Sequence, residues 1–164
     1  MAHSDKRFSS VLVGDVFEQV VLKPSTVGTN AKIRDVIGQM TENPLSRKVY
    51  VVSEEGSYLG TINSETILRL LGYRVGVKDG SGLSFYHFLR DALKEDVISI
   101  MKKGRVVTRE TPLVKAMEVM MEDHLNDLPV VDAEGRLIGE LVSLEIFREG
   151  KELFQKDEQE TTGI

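Results

Sequence analysis

Apolar residues recur along the chain with two periods, and the alternation of those periods marks out the elements. Leu113, Ala116, Met117, Met120 and Met121 return every three or four residues, which places them on the core face of a helix over 112–123. Thr111 is in position to cap that helix, with Pro112 as its first helical residue. A similar helix is predicted over 31–43. Short apolar runs predict strands at Lys48–Val52 and Leu137–Leu141, and Glu55-Gly56 and Glu134-Gly135 supply hairpin turns. β-prone stretches at Ser25–Val27 and Arg105–Thr108 precede the helices, and second helices at Ser64–Leu71 and Ser143–Phe154 follow the hairpins.

The pattern occurs twice. Val51 through Gly60 falls on Val130 through Gly139 with a constant offset of 79, and Ser64 and Ile67 fall on Ser143 and Ile146. Upstream the offset is 80, so that Val27 meets Val107, Ile33 meets Leu113, Met40 meets Met120 and Leu45 meets Leu125. The duplication divides the chain into an N-terminal arm (1–13), repeat 1 (14–72), a glycine-rich linker with an amphipathic helix (73–95), repeat 2 (96–154) and a polar, frayed tail (155–164). The linker helix, Leu83–Lys94, carries Phe85, Phe88, Leu89 and Ala92 on the face expected to pack. One repeat of about 50–60 residues is small for an independent core, which gives the duplication a physical reason.

The ordered residues resemble the CBS domain family, whose tandem pairs form the Bateman module. Leu128-Pro129-Val130-Val131-Asp132 is similar to the family's LPVVD strand, and Gly135 through Glu145 to its G-x-L-x-G-x-x-T-x-x-D segment. Asp96 through Met101 resembles the family's lead-in, and Tyr50-Val51-Val52, Gly56 and Leu59-Gly60 hold the same register in repeat 1. The resemblance implies an α/β (α+β) fold of two βαββα repeats packed as a pseudo-two-fold pair, with the linker helix as an addition. It implies a regulatory, non-catalytic role: sensing of AMP, ADP, ATP or S-adenosylmethionine between the repeats, with the signal passed to a protein effector in trans, commonly from a homodimer.

Carried over by position, the family's ribose-binding acid falls on Glu145 and its Thr on Val142; in repeat 1 the same positions are Thr66 and Asn63. A carboxylate suits a ribose diol because it offers two acceptor oxygens. The resemblance thus assigns one candidate cleft to Lys23, Ser25, Leu45, Asn126, Asp127, Val142 and Glu145. A second, more basic cleft takes Arg47, Lys48, Asn63, Thr66, Lys103, Arg105 and Leu125, its cations suited to phosphates. The bland readings stand beside these: Glu145 as a first-turn carboxylate on a helix, the cations as solvated surface charge. A structural or dimerisation module without a specific ligand, or a transporter's regulatory subunit docking through the linker helix, are the alternatives.

Composition trims this picture. The chain of 164 residues has no cysteine, which excludes disulfides, thiolate metal sites and cysteine nucleophiles. Its net charge of −5 gives no general nucleic-acid surface, and no stretch has the apolar length of a membrane span. With no secretory signal in the first residues, a cytoplasmic location is expected. His3, His87 and His124 have no metal-ligand spacing, and neither phosphate-loop nor nucleophile-elbow sequences occur, so neither metal nor enzyme activity is expected.

Overall fold

The computed structural model describes residues 7–21, 23–75 and 82–162. Its elements run α1 (Val13–Val16), β1 (Thr26–Gly28), α2 (Ile33–Glu42), β2 (Lys48–Val52), β3 (Tyr58–Asn63), α3 (Ser64–Val75), α4 (Gly82–Ala92), α5 (Val97–Ile100), α6 (Leu113–Glu122), β4 (Asp127–Val131), β5 (Leu137–Val142) and α7 (Ser143–Thr162). The fold is mixed α+β, and the order helix, strand, strand, helix occurs twice, as α2-β2-β3-α3 and α6-β4-β5-α7. β1 pairs parallel to β2, and β2 antiparallel to β3. In the second repeat β4 pairs antiparallel to β5, and the stretch expected as a strand at Arg105–Thr108 contributes only a parallel bridge from Val107 to Val130.

Strand alternation explains the cores. Val49, Val51 and Ile62 face Ile33 and Val36 of α2 on one side of the first sheet. Leu128, Val130 and Leu141 meet Leu113, Ala116 and Met120 of α6 in the second. Both hairpins turn through glycines in the left-handed region, Gly56 at φ 87° and Gly135 at φ 81°, where a Cβ is disfavoured. Each hairpin also carries a register shift at the equivalent place, Val51/Val52 and Val130/Val131.

Compactness cuts the chain elsewhere than the repeat boundaries do. One unit joins the described residues up to Lys23 to those from Arg105 onward; the other spans Pro24–Gly104. Each repeat is thus completed by the other's lead-in. Val13 N–H donates to Thr111 O and Leu113 N–H to Val11 O in one unit. Val97 N–H donates to Ala31 O and Ile33 N–H to Glu95 O in the other. The lead-ins end on Phe17 and Met101, and each side chain lies on a glycine of the sheet it joins. A Cβ on Gly139 would collide with the Phe17 ring, and one on Gly60 would stand 2.9 Å from the Met101 sulfur. Arg109 lies over the Phe17 ring, its guanidinium 4.6 Å from the ring centroid.

Several local expectations are corrected. Thr111 does not cap α6: Pro112 is the N-cap, and the Thr111 hydroxyl accepts the Thr108 N–H instead. Met121 is 69% exposed, because it stands one residue past the buried stripe of Ala116, Val119 and Met120. Gly72 through Val75 continue α3 rather than opening the linker, and residues 76–81 lie outside the described residues. Of the linker helix's packing face only Ala92 is buried, Phe88 and Leu89 are half-buried, and Phe85 is exposed. The tail is helical to Thr162, supported by an i,i+4 pair, Arg148–Glu152, and by Arg7 against Glu160.

Candidate functional site

The expected site residues divide between the two units. In the Pro24–Gly104 unit, Ser25 is 4% exposed just before β1; its carbonyl accepts the Tyr50 N–H, and its hydroxyl has no hydrogen-bond partner among the described residues. Leu45 and Arg47 are exposed. Lys48 opens β2 opposite Asn63, the last residue of β3. Asn63 caps α3: its Oδ1 accepts both the backbone N–H and the hydroxyl of Thr66, each at 2.8 Å. Lys103 is exposed beside Gly104, whose N–H donates to the Tyr58 hydroxyl. That hydroxyl also pairs with Thr61 Oγ1 at 2.8 Å. Sequence reasoning missed Tyr58 because Gly104 reaches its hydroxyl from 46 residues further along the chain.

In the other unit, Lys23 and Asn126 are exposed, and the Asn126 carbonyl accepts the Ser143 N–H. Asp127 and Val142 are buried neighbours across β4 and β5. Leu125 is half-buried against the core, its N–H donated to Met120 O. Two of the expected site residues have partners within the protein. Glu145 is wholly buried: Oε1 accepts the N–H groups of Gln19 (2.8 Å) and Val20 (3.0 Å), and Oε2 accepts that of Val142 (2.9 Å). Its carboxylate thus fastens the N-terminal segment to the start of α7, which leaves little of it for a ligand diol. Arg105 donates through Nε to Asp123 at 2.8 Å and through Nη2 to Glu122 at 2.9 Å, so its fork faces the end of α6. The hydrogen bond from Arg105, foremost, holds the Asp123 carboxyl below its ordinary range.

Of the histidines, His3 lies outside the described residues. His87 is exposed, with Tyr86 edge-on to it, and His124 takes a left-handed conformation just past α6. Among the described residues no three His, Asp or Glu side chains are arranged to hold a metal, and no helix is long and apolar enough to cross a membrane.

Comparison with known proteins agrees with this architecture. A CBS domain-containing protein from Thermotoga maritima is 28% identical, with a TM-score of 0.66 over 84% of this chain and 92% of its own. The CBS domain of a membrane protein from Sphaerobacter thermophilus shares the fold at 16% identity and a TM-score of 0.70, covering 90% of this chain and 92% of that one. A CBS domain protein from Pyrobaculum aerophilum, solved with AMP, is 18% identical with a TM-score of 0.64, over 82% and 89% of the two chains. The CBS domain family matches residues 13–73 and again 95–151, most of the sequence, and the chain belongs to that family.

Proposed function

We propose that this chain is a regulatory CBS pair that binds an adenine nucleotide or related adenosyl ligand and reports its occupancy to a protein effector in trans. It acts in the cytoplasm as a homodimer and catalyses nothing itself. Proteins sharing the fold have been solved with AMP, with ATP, and with S-adenosylmethionine and methylthioadenosine, which makes this ligand class the first to test. The observation that carries the reading is the Ser25 hydroxyl, sealed from water and unsatisfied among the described residues. A buried hydroxyl without a partner costs about 1–3 kcal/mol, and a ligand donor or acceptor would relieve that cost. The exposed cations Arg47 and Lys103 belong to the same unit and suit phosphate oxygens. Signalling then follows from differential affinity: ligand shifts the population toward the arrangement it binds better, and the effector reads that arrangement.

The test is calorimetry and thermal shift against AMP, ADP, ATP, S-adenosylmethionine and inorganic phosphate, on the wild type and on Ser25→Ala. Expected is a melting-temperature rise with an adenosine ligand. Ser25→Ala should make the free protein more stable, by up to about 1–3 kcal/mol, and bind roughly tenfold more weakly, the loss of about one hydrogen bond. No response to any ligand at millimolar concentration would refute the reading. A second reading, an assembly module without a specific ligand, is favoured by Glu145 and Thr66: neither repeat offers an uncommitted acid at the family's ribose position. That reading predicts pairing of copies with no nucleotide response.

A further inference from the structure

The turn that follows α1 is shaped to hold an oxyanion. Glu18 takes a left-handed backbone conformation, φ 69°, although it is not a glycine and stands exposed to water. That bend turns the next two N–H groups toward one point: Gln19 and Val20 both donate to Glu145 Oε1, at 2.8 and 3.0 Å. Successive N–H groups converging beside a left-handed residue form a nest, a concavity that favours negative charge. Here the charge comes from the chain itself, from a wholly buried carboxylate on α7 whose other oxygen accepts the Val142 N–H at 2.9 Å. The nest is open at its rim, because Gln19 is exposed and Val20 only half-buried. A cation stands beside the turn as well. The Arg109 guanidinium lies over the ring of Phe17, the residue that leads into it, and enters no ion pair among the described residues.

We propose that residues 18–20 form an oxyanion site with Glu145 as its tethered occupant, and that a free phosphate or carboxylate group competes for it. The competition is against an intramolecular ligand, which acts at an effective concentration in the millimolar range or above, so a free anion displaces it only at millimolar levels. The two occupants differ in what they hold together. With Glu145 in the nest, the lead-in segment is fastened to the start of α7. With a free anion there, the turn keeps an acceptor, the link to α7 is lost, and the Val142 N–H gives up its partner. The Glu145 contact is thus autoinhibitory toward anions, and its release loosens the lead-in from α7. A doubly charged phosphate gains more from Arg109 than a carboxylate does. The Glu18 carboxylate, within the turn itself, opposes either. The site lies within one unit, made of the described residues up to Lys23 and from Arg105 onward. It does not rest on the nucleotide reading, whose Ser25 belongs to the other unit.

The test is an amide NMR titration of the full chain with inorganic phosphate and, separately, with acetate, up to about 100 mM at an ionic strength held constant with chloride. In the wild type the Gln19 and Val20 amide signals should shift saturably with a midpoint on the order of 10 mM, and hydrogen exchange at Val142 should quicken as its acceptor leaves. Glu145→Gln removes the resident charge and should bind phosphate roughly tenfold more tightly. Glu18→Gly suits the left-handed backbone and removes the opposing carboxylate, so it should raise both the melting temperature and the phosphate affinity. Arg109→Gln should weaken phosphate more than acetate. A response to phosphate alone identifies the competing anion as a phosphoryl group, and a response to acetate alone identifies a carboxylate. No saturable change at residues 19 and 20, in the wild type or in Glu145→Gln, overturns the site. Binding by Glu145→Gln without any by the wild type overturns the exchange. A response to adenine nucleotides with none to either anion overturns this site and leaves the nucleotide reading in place.

Discussion

Glu145→Ala is the substitution with the largest structural consequence at the expected site. It removes the acceptor for three backbone N–H groups, those of Gln19, Val20 and Val142. Bonds to a carboxylate contribute about 1.5–3 kcal/mol each when buried. The Val142 bond is buried and counts fully, whereas water reaches the part-buried donors at 19 and 20, so their loss sits at the low end. A total of about 4.5–6 kcal/mol follows. Glu145→Gln keeps one acceptor oxygen and should lose about half as much. Urea unfolding followed by circular dichroism measures this directly: the midpoint should fall with the slope unchanged, because the surface exposed on unfolding is the same. The melting temperature should drop by roughly 9–24 °C at 2–4 °C per kcal/mol for a chain of this size. If Glu145→Ala retained wild-type stability to within about 0.5 kcal/mol, the fastening role would be wrong. If it also lost nucleotide affinity, the carboxylate would belong to the ligand after all.

Two further outcomes test the exchange of lead-ins and the α6 charge pair. Gly139→Ala should cost about 1–3 kcal/mol by forcing the Phe17 ring aside, and more than Gly60→Ala, whose neighbour is the flexible end of Met101. Phe17→Leu should partly rescue it in a double-mutant cycle, and strict additivity would refute the contact. Asp123 is held below its ordinary pKa, foremost by the Arg105 hydrogen bond. Its contribution is therefore present above the unfolded value near 3.9 and is lost as pH falls through the folded one. Asp123→Asn should lower the urea midpoint slightly at pH 7 and not at all near pH 2, and a pH-independent difference would refute the pairing.

Much of the fold was legible because its determinants are local. The hairpin glycines, the helical apolar stripes and the offset of 79 all sit within a few residues of what they specify. What was not legible depends on partners far along the chain. The lead-in at Val13–Phe17 joins Arg109–Leu113 almost a hundred residues later, and only the parallel endings, Phe17 and Met101, hint at the exchange. Arg105 reads as a free cation until α6 brings Glu122 and Asp123 to it. Met121 fits the helical period but falls just outside the buried arc, and the polar tail reads as frayed although its i,i+4 charges favour a helix.

The two repeats solve one local problem in opposite ways, and the solution constrains what a ligand can meet. Each hairpin runs straight into a helix whose first N–H groups need acceptors. In repeat 1, Asn63 supplies its own oxygen to the Thr66 N–H, so the residue three positions on is free to be a neutral Thr. In repeat 2, Val142 has no side-chain acceptor to offer. The residue three positions on must reach back to it, and Glu145 does so while also holding Gln19 and Val20. The identities at 63 and 66, and at 142 and 145, are thus coupled pairs: restoring an acid at 66 leaves the Asn63 cap in place, whereas freeing the acid at 145 strands three donors. If a nucleotide binds, its ribose diol meets no uncommitted carboxylate at either position. Its recognition then falls to the Ser25 hydroxyl and to cations such as Arg47 and Lys103, an arrangement that rewards phosphate charge more than the sugar.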